Sequence, residues 1–186
     1  MASEASAIIF TSFAGYFAEQ PLKKISKICK KNGCLVIEDA SGAIGDKKLC
    51  NGKYSDIIVG SFGDWKPINL GYGGFISAKD KEYFEYAKEA FSMIKVHKNF
   101  YKEILPLLKR KRLINMIKFA EFVKKELSNF GFEIIHKNKR GINVVTKFDP
   151  DVIMYCRKKN YPYMLCPNYI RVNAKAISIE LKKVVK

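Results

Sequence analysis

The chain has 186 residues, 48% of them apolar and 28% charged, a balance that suits a soluble globular protein and excludes a disordered tail; it can bury one substantial core, or one core with a small appendage. Thirty-four Lys and Arg against eighteen Asp and Glu leave a formal charge of +16, which favours an anionic ligand, an acidic partner or nucleic acid. No apolar run approaches the ~20 residues of a membrane span, and the start MASEASAIIF lacks the basic opening and long apolar stretch of a signal peptide, so a cytoplasmic protein with no membrane partner is expected.

In chain order, Ala7 to Ser12 reads as a strand. Pro21 to Lys31 reads as an amphipathic helix with Leu22, Ile25, Ile28 and Cys29 on one face and Gly33 as its stop. The strand from Leu35, ending in Glu38-Asp39, completes a βαβ unit, and the run Asp56 to Val59 ends in Gly60-Ser61-Phe62. Short runs rich in Val and Ile, bounded by Gly and Asp, predict buried strands of a parallel sheet, and ligands collect beyond the carboxyl ends of such strands. A strand at Gly74 to Ser77 is followed by helices over about Lys79 to Phe91 and about Pro106 to Asn129, with Pro106 starting or kinking the second.

From Phe132 the pattern changes. Strands are expected at Phe132 to His136 and Ile142 to Thr146, then a helix from about Asp149 to Lys159 opened by Asp149-Pro150-Asp151, a strand at Tyr169 to Val172 and a last helix over about Lys175 to Val185. The expected fold is therefore α/β, a mostly parallel sheet flanked by helices over residues 1–115, with a small C-terminal α+β domain over 116–186. The boundary falls within the long helix.

Five cysteines, Cys29, Cys34, Cys50, Cys156 and Cys166, form no C-x-x-C pair, and His97 and His136 lie far from them, so no metal site is expected and the thiols read as buried groups in a reducing compartment. The lysines recur along the helices, as in KKISKICKK and KRKRLINMIKFAEFVKK, and only Lys109 to Arg112 is a compact basic run. Without a recognition motif beside it, the charge reads as solvated helix faces in preference to a nucleic-acid surface.

The segment LVIEDASGAIGDKKLCNGKYSDIIVGSFGDWKPINLGYGGFIS sets an acid, a hydroxyl and a lysine at or just beyond strand ends, an order suited to holding pyridoxal phosphate. A Schiff-base lysine must lose its proton, and Lys66, between Trp65 and Pro67 just past a strand, is placed for it. The cofactor's ring nitrogen stays protonated beside a carboxylate, which Asp39 supplies. Its phosphate takes hydroxyl and backbone N–H donors, which Ser61 and the surrounding glycines offer.

The segments VIEDASGAIG, DIIVGSFGDWKPINLGYGGFIS and AIIFTSFAGYFAEQPLKKISKICKKNGCLVIED resemble the central half of the DegT/DnrJ/EryC1/StrS aminotransferases, fold-type-I pyridoxal-phosphate enzymes whose acidic motif reads roughly V-I-E-D-A-A-Q-A and whose lysine motif is S-F-x-x-x-K before a Gly-Gly strand. The resemblance covers about the first 130 residues well and the rest loosely. It implies that Asp39 faces the pyridine nitrogen, Ser61 contacts the phosphate and Lys66 is the catalytic lysine joined to pyridoxal 5'-phosphate, with Gly73 and Gly74 as the paired glycines. Gly42 stands where the family usually has glutamine. The resemblance also implies that the first part of the large domain, with a phosphate-cradling helix terminus and a ring-stacking aromatic, lies outside this chain.

Arg171 lies where many fold-type-I enzymes place an arginine that grips a substrate carboxylate, although an exposed strand arginine is the plainer reading. Trp65 either shields the cofactor or packs, and Asn69 either donates to a phosphate or shapes the turn before Gly71. The implied activity is transfer of an amino group from an amino acid donor to a keto acceptor, commonly a keto-sugar, by a homo-oligomer or a complex with a polypeptide that supplies the N-terminal portion. Two alternatives stand beside it: a noncatalytic partner subunit that keeps the fold, and a basic nucleic-acid-binding protein.

Overall fold

A computed structural model of the chain describes residues 5–94, 96–109, 111–168 and 172–185. In chain order these form β1 (Ala7–Thr11), β2 (Phe13–Ala14), β3 (Ala18–Glu19), α1 (Leu22–Lys31), β4 (Leu35–Asp39), β5 (Ile57–Ser61), β6 (Gly74–Ala78), α2 (Glu82–Tyr86), α3 (Lys88–Ser92), α4 (Phe100–Leu108), α5 (Arg112–Asn129), β7 (Val144–Lys147), α6 (Pro150–Lys159), β8 (Tyr163–Cys166), β9 (Ala176–Ile179) and a 3-10 turn at Leu181–Lys183. They divide into two compact units, one made of Met1–Ser12 and Pro21–Arg110, the other of Phe13–Gln20 and Lys111–Lys186.

The first unit is built on a four-stranded sheet in the order β1-β4-β5-β6. β1, β4 and β5 run parallel, with Thr11 level with Asp39 and Asp39 level with Val59, while β6 is antiparallel to β5 and pairs Gly74 with Ser61. Side chains alternate across a strand, so β4 buries Val36 and Glu38 on one face and presents Leu35, Ile37 and Asp39, each half-buried, on the other. The βαβ unit forms as the periodicity predicts, and α1 packs on β4. Its buried side chains are Leu22, Ser26 and Cys29, whereas Ile28 is 57% exposed, because the 3.6-residue repeat from Leu22 brings Ser26 rather than Ile28 onto the inner face.

Several expected elements differ. The helix expected over about Lys79 to Phe91 is two five-residue helices that meet at Ala87. The long helix expected from Pro106 is also two: α4 carries Pro106 within it and ends at Leu108, and α5 begins at Arg112. Proline removes one backbone donor and crowds the preceding turn.

In the second unit a three-stranded antiparallel sheet runs β7-β9-β8, with Val144 and Tyr163 both level with Ile179. All four residues of β9 are buried. One side of this unit packs Ala120, Val123, Leu127, Val144, Ile177 and Ile179; the other gathers Phe17, Ala18, Val145, Cys166, Val172 and Ala176. The expected last helix is thus replaced by this central strand and the short 3-10 turn, since a strand buried on both faces shows no alternation to distinguish it from a helix. The strand expected at Phe132 to His136 shrinks to a single bridge between Ile134 and Thr146. α6 begins as expected, with the Asp149 carboxylate accepting from the Asp151 N–H at 2.9 Å.

Three basic residues of the expected solvated faces, Arg112, Lys124 and Lys182, are buried. Arg112 donates through Nε and Nη2 to the Val185 carbonyl at 3.1 and 2.8 Å, and Lys124 donates to Glu121 Oε1 at 2.8 Å and to the Lys139 carbonyl. Among the described residues no helix is long and apolar enough to cross a membrane.

Candidate functional site

Parallel strands that end level with one another leave a shelf of backbone at their carboxyl ends, and here the ends of β1, β4 and β5 carry Thr11, Asp39 and Ser61. These three side chains share the face opposite Glu38. The Asp39 carboxylate accepts from Thr11 Oγ1 at 3.2 Å and from the Ser41 N–H at 3.0 Å. Ser41 Oγ in turn accepts from the Ser61 N–H at 3.0 Å, and Ser61 Oγ accepts from the Gly63 N–H at 3.1 Å. One continuous run of hydrogen bonds therefore crosses three strand ends.

Those two bonds leave acceptor capacity on Asp39, since a carboxylate has about four lone-pair sites. The Ser61 and Ser41 oxygens act as acceptors here, and each hydroxyl can also donate. Ile9, Asp39, Ser41, Val59, Gly60, Ser61, Gly73, Gly74 and Phe75 line a depression of ≈ 450 Å³, within the roughly 300–1,000 Å³ of ligand clefts. At Gly74 the backbone itself excludes a side chain: a Cβ there would lie 2.4 Å from the Gly60 carbonyl oxygen. Gly73, at φ 76, holds a left-handed conformation that other residues rarely adopt.

Lys66 lies on the loop between β5 and β6. Leu70 and Gly71 N–H groups both donate to the Phe62 carbonyl, at 2.8 and 2.9 Å, and Phe62 N–H donates to the Gly73 carbonyl at 3.0 Å, so the loop closes at its base. Phe62, Ile68 and Ile104 form a buried cluster beneath it, with Phe75, Phe100 and Leu107 packed alongside. Lys66 is half-buried on this pinned loop but is not one of the residues lining the depression. Asn69 Oδ1 accepts from the Trp65 N–H at 3.0 Å, a turn-shaping bond, and Trp65 is half exposed. Gly42 is buried directly after Ser41. Arg171, expected to grip a substrate carboxylate, lies outside the described residues, as does most of the strand expected around it.

The donor set suits pyridoxal phosphate: a carboxylate with spare acceptor capacity, two serine hydroxyls and three glycines stand together at a sheet's carboxyl edge. Thr11 and Ser41 were not legible as site residues, since the Asx turn that joins Ser41 to Asp39 uses a backbone N–H and asks nothing of the side chain there. Glu38 is the other residue missed. It is fully buried and accepts from Ser12 Oγ and Ser55 Oγ at 2.5 Å each and from the Cys50 N–H at 2.9 Å. Burial and then the Glu38 charge push the Cys50 thiol up to about 11, so it stays protonated at neutral pH.

Comparison with known proteins places this architecture. Among solved structures, an aspartate aminotransferase of Thermotoga maritima is similar at a TM-score of 0.67 and 13% identity, over 98% of this chain and 53% of its own. A DegT DnrJ EryC1 StrS aminotransferase of Brucella abortus is similar at 0.64 and 15%, over 94% and 59%. NtdA of Bacillus subtilis, with bound cofactor PMP, is similar at 0.62 and 16%, over 97% and 53%. The chain thus has the fold-type-I aminotransferase fold and spans about half the length of these structures. No curated protein matches it. An MJ1341 family C-terminal domain profile matches residues 110–185, and the profile of the DegT/DnrJ/EryC1/StrS aminotransferase family matches residues 1–113. Matched over more than half its length, the chain belongs to the DegT/DnrJ/EryC1/StrS aminotransferase family.

Proposed function

We propose that the protein is a pyridoxal-phosphate-dependent aminotransferase component that moves an amino group from an amino acid donor to a keto acceptor of the keto-sugar type. The observation that carries this is the convergence of Asp39, Ser41 and Ser61 at the carboxyl ends of parallel strands. When bound, the cofactor supplies an electron sink for charge developing at a substrate carbon. Asp39 holds the proton on the ring nitrogen, its orientation fixed by Thr11 and the Ser41 N–H. Ser61 and Ser41 donate to the phosphate. Lys66 would hold the cofactor and would move the proton at the substrate carbon, and Arg171 would pair with the donor's carboxylate. The active form is an oligomer in the cytoplasm.

Borohydride reduction of the chain mixed with pyridoxal phosphate, followed by peptide mapping, tests the central assignment. The label is expected on Lys66 and absent from Lys66→Ala. Label spread over many surface lysines, or concentrated on another, would overturn it. A noncatalytic subunit that keeps the fold is the second reading, favoured by Lys66 standing outside the lining of the depression; an unlabelled Lys66 is the outcome that reading expects.

A further inference from the structure

We propose that the groove between the end of α6 and the start of β8 is a binding site for a phosphate monoester that carries a planar ring, of the nucleoside monophosphate type. The groove has a volume of ≈ 650 Å³, within the range of small-molecule sites, and shares no residue with the depression at Asp39. Its lining comes wholly from the second unit, so it stands apart from the chemistry proposed for Lys66.

The walls follow from the way α6 stops. Asn160 ends the helix in a left-handed conformation, at φ 54, which asparagine tolerates better than most residues. The Asn160 and Tyr161 N–H groups donate to the Arg157 and Cys156 carbonyls at 3.1 and 2.8 Å. The chain then passes Pro162 into β8, where Tyr163 is level with Ile179, and the Glu180 N–H donates to the Pro162 carbonyl at 2.8 Å. The 3-10 turn after β9 therefore stands beside the start of β8, and it brings Lys183 to the same groove as Arg157.

Local charge selects the anion. Arg157 and Lys183 line the groove from separate elements, and no acid lines it among the described residues. Arg157 is exposed and has no carboxylate partner among the described residues, whereas nearby Lys159 is paired with Glu126 at 2.8 Å. Two cations match the two charges of a phosphate monoester, and a guanidinium fork matches two of its oxygens. The Arg157 and Cys156 carbonyls, which at a helix end would oppose an anion, are already bonded.

The aromatic residues select the ring. Tyr161 is set edge-on against Phe119 and Tyr155, with centroids 5.6 and 6.0 Å away and planes at 89° and 67°. Burial and then the Glu126 charge raise the Tyr161 hydroxyl above its ordinary value, so it stays neutral beside an anion. Tyr163 is half-buried, lines the groove and has no ring contact among the described residues, which suits it to stack on a flat ring. Asn160, also in the lining, offers an amide donor and acceptor to the edge of such a ring.

The test titrates AMP, adenosine and inorganic phosphate into the purified chain by isothermal titration calorimetry. AMP is expected to bind one to one, with adenosine and phosphate each at least about tenfold weaker, since each makes only part of the contacts. Arg157→Gln and Lys183→Gln are each expected to weaken AMP about tenfold, and Tyr163→Leu about fivefold or more. Lys158→Gln, which removes the same charge beside Arg157 but outside the lining, is expected to leave AMP affinity within about twofold. Phosphate binding as tightly as AMP would overturn the ring assignment. Unchanged affinity in Arg157→Gln, or a loss in Lys158→Gln as large as in Arg157→Gln, would overturn the site, as would a chain that does not bind AMP. AMP carries no aldehyde and cannot label Lys66, so this outcome is read separately from the borohydride experiment.

Discussion

Replacing Glu38 tests whether this buried carboxylate holds the sheet's carboxyl end in place. In Glu38→Leu the hydroxyls of Ser12 and Ser55 and the Cys50 N–H lose their acceptor; Ser12 and Ser55 are buried, so both hydroxyls are cut off from water. Each stranded donor costs about 1–3 kcal/mol, giving a loss of at least about 3 kcal/mol. Glu38→Gln keeps all three partners, because Ser55 Oγ can accept from the new amide, and it removes the cost of desolvating a charge, so its loss is about 1–2 kcal/mol. Trp65, the one tryptophan of the chain, lies in the same unit, so its fluorescence in a urea titration reports the relevant transition. With a slope of about 1–3 kcal/mol per molar urea, Leu is expected to lower the midpoint by about 1 M or more and Gln by clearly less. Equal midpoints for the two variants would refute the reasoning, since they differ chiefly in whether the three donors are satisfied.

In the second unit, a Cβ on Gly141 would lie 2.5 Å from the Phe17 Cα, against backbone that cannot rotate away, so Gly141→Ala should cost about 1–3 kcal/mol or more; an unchanged thermal transition by circular dichroism would count against that packing. Lys159 Nζ and then the Tyr155 hydroxyl, both 2.8 Å from the Glu126 carboxylate, hold Glu126 below the usual carboxylate range. Its folded value lies below its unfolded one, so the stabilisation is present above the unfolded value and is lost as pH falls through the folded one; Glu126→Gln should flatten the acid limb of a stability profile, and an unaltered limb would remove that role. Under the proposed function Asp39→Asn should suppress turnover while shifting the urea midpoint less than Glu38→Leu does. A midpoint loss as large as that of Glu38→Leu would make Asp39 structural.

How far the sequence discloses this molecule depends on whether each element is amphipathic. α1 and α6 were readable, the one from apolar periodicity and the other from the Asp149-Pro150 start, and β4 and β5 from short β-branched runs closed by Gly or Asp. β9 was not: Ala176, Ile177, Ser178 and Ile179 are buried alike, so neither a two-residue nor a 3.6-residue repeat survives there. β8 carries no alternation either: of Tyr163 to Cys166 only Cys166 is buried. In the site, Asp39 and Ser61 were legible because each closes a strand. Thr11 and Ser41 were not, since their part depends on register between strands far apart in sequence.

The adjacent acids Glu38 and Asp39 show how register becomes chemistry. Successive residues of a strand face opposite ways, so a one-residue slip of β4 would bury Asp39 and turn Glu38 to the open face. The apolar pattern resists such a slip weakly, because Leu35, Val36 and Ile37 are apolar on both faces. Glu38 resists it strongly: its carboxylate satisfies three donors from Ser12, Cys50 and Ser55, which come from the end of β1 and from the segment before β5. A slipped strand would leave those donors without an acceptor. The buried acid therefore fixes the position of the half-buried one, and Thr11 and the Ser41 N–H then set the direction of its oxygens. Pre-orientation of this kind lets a site hold a charged ring nitrogen without rearranging around it.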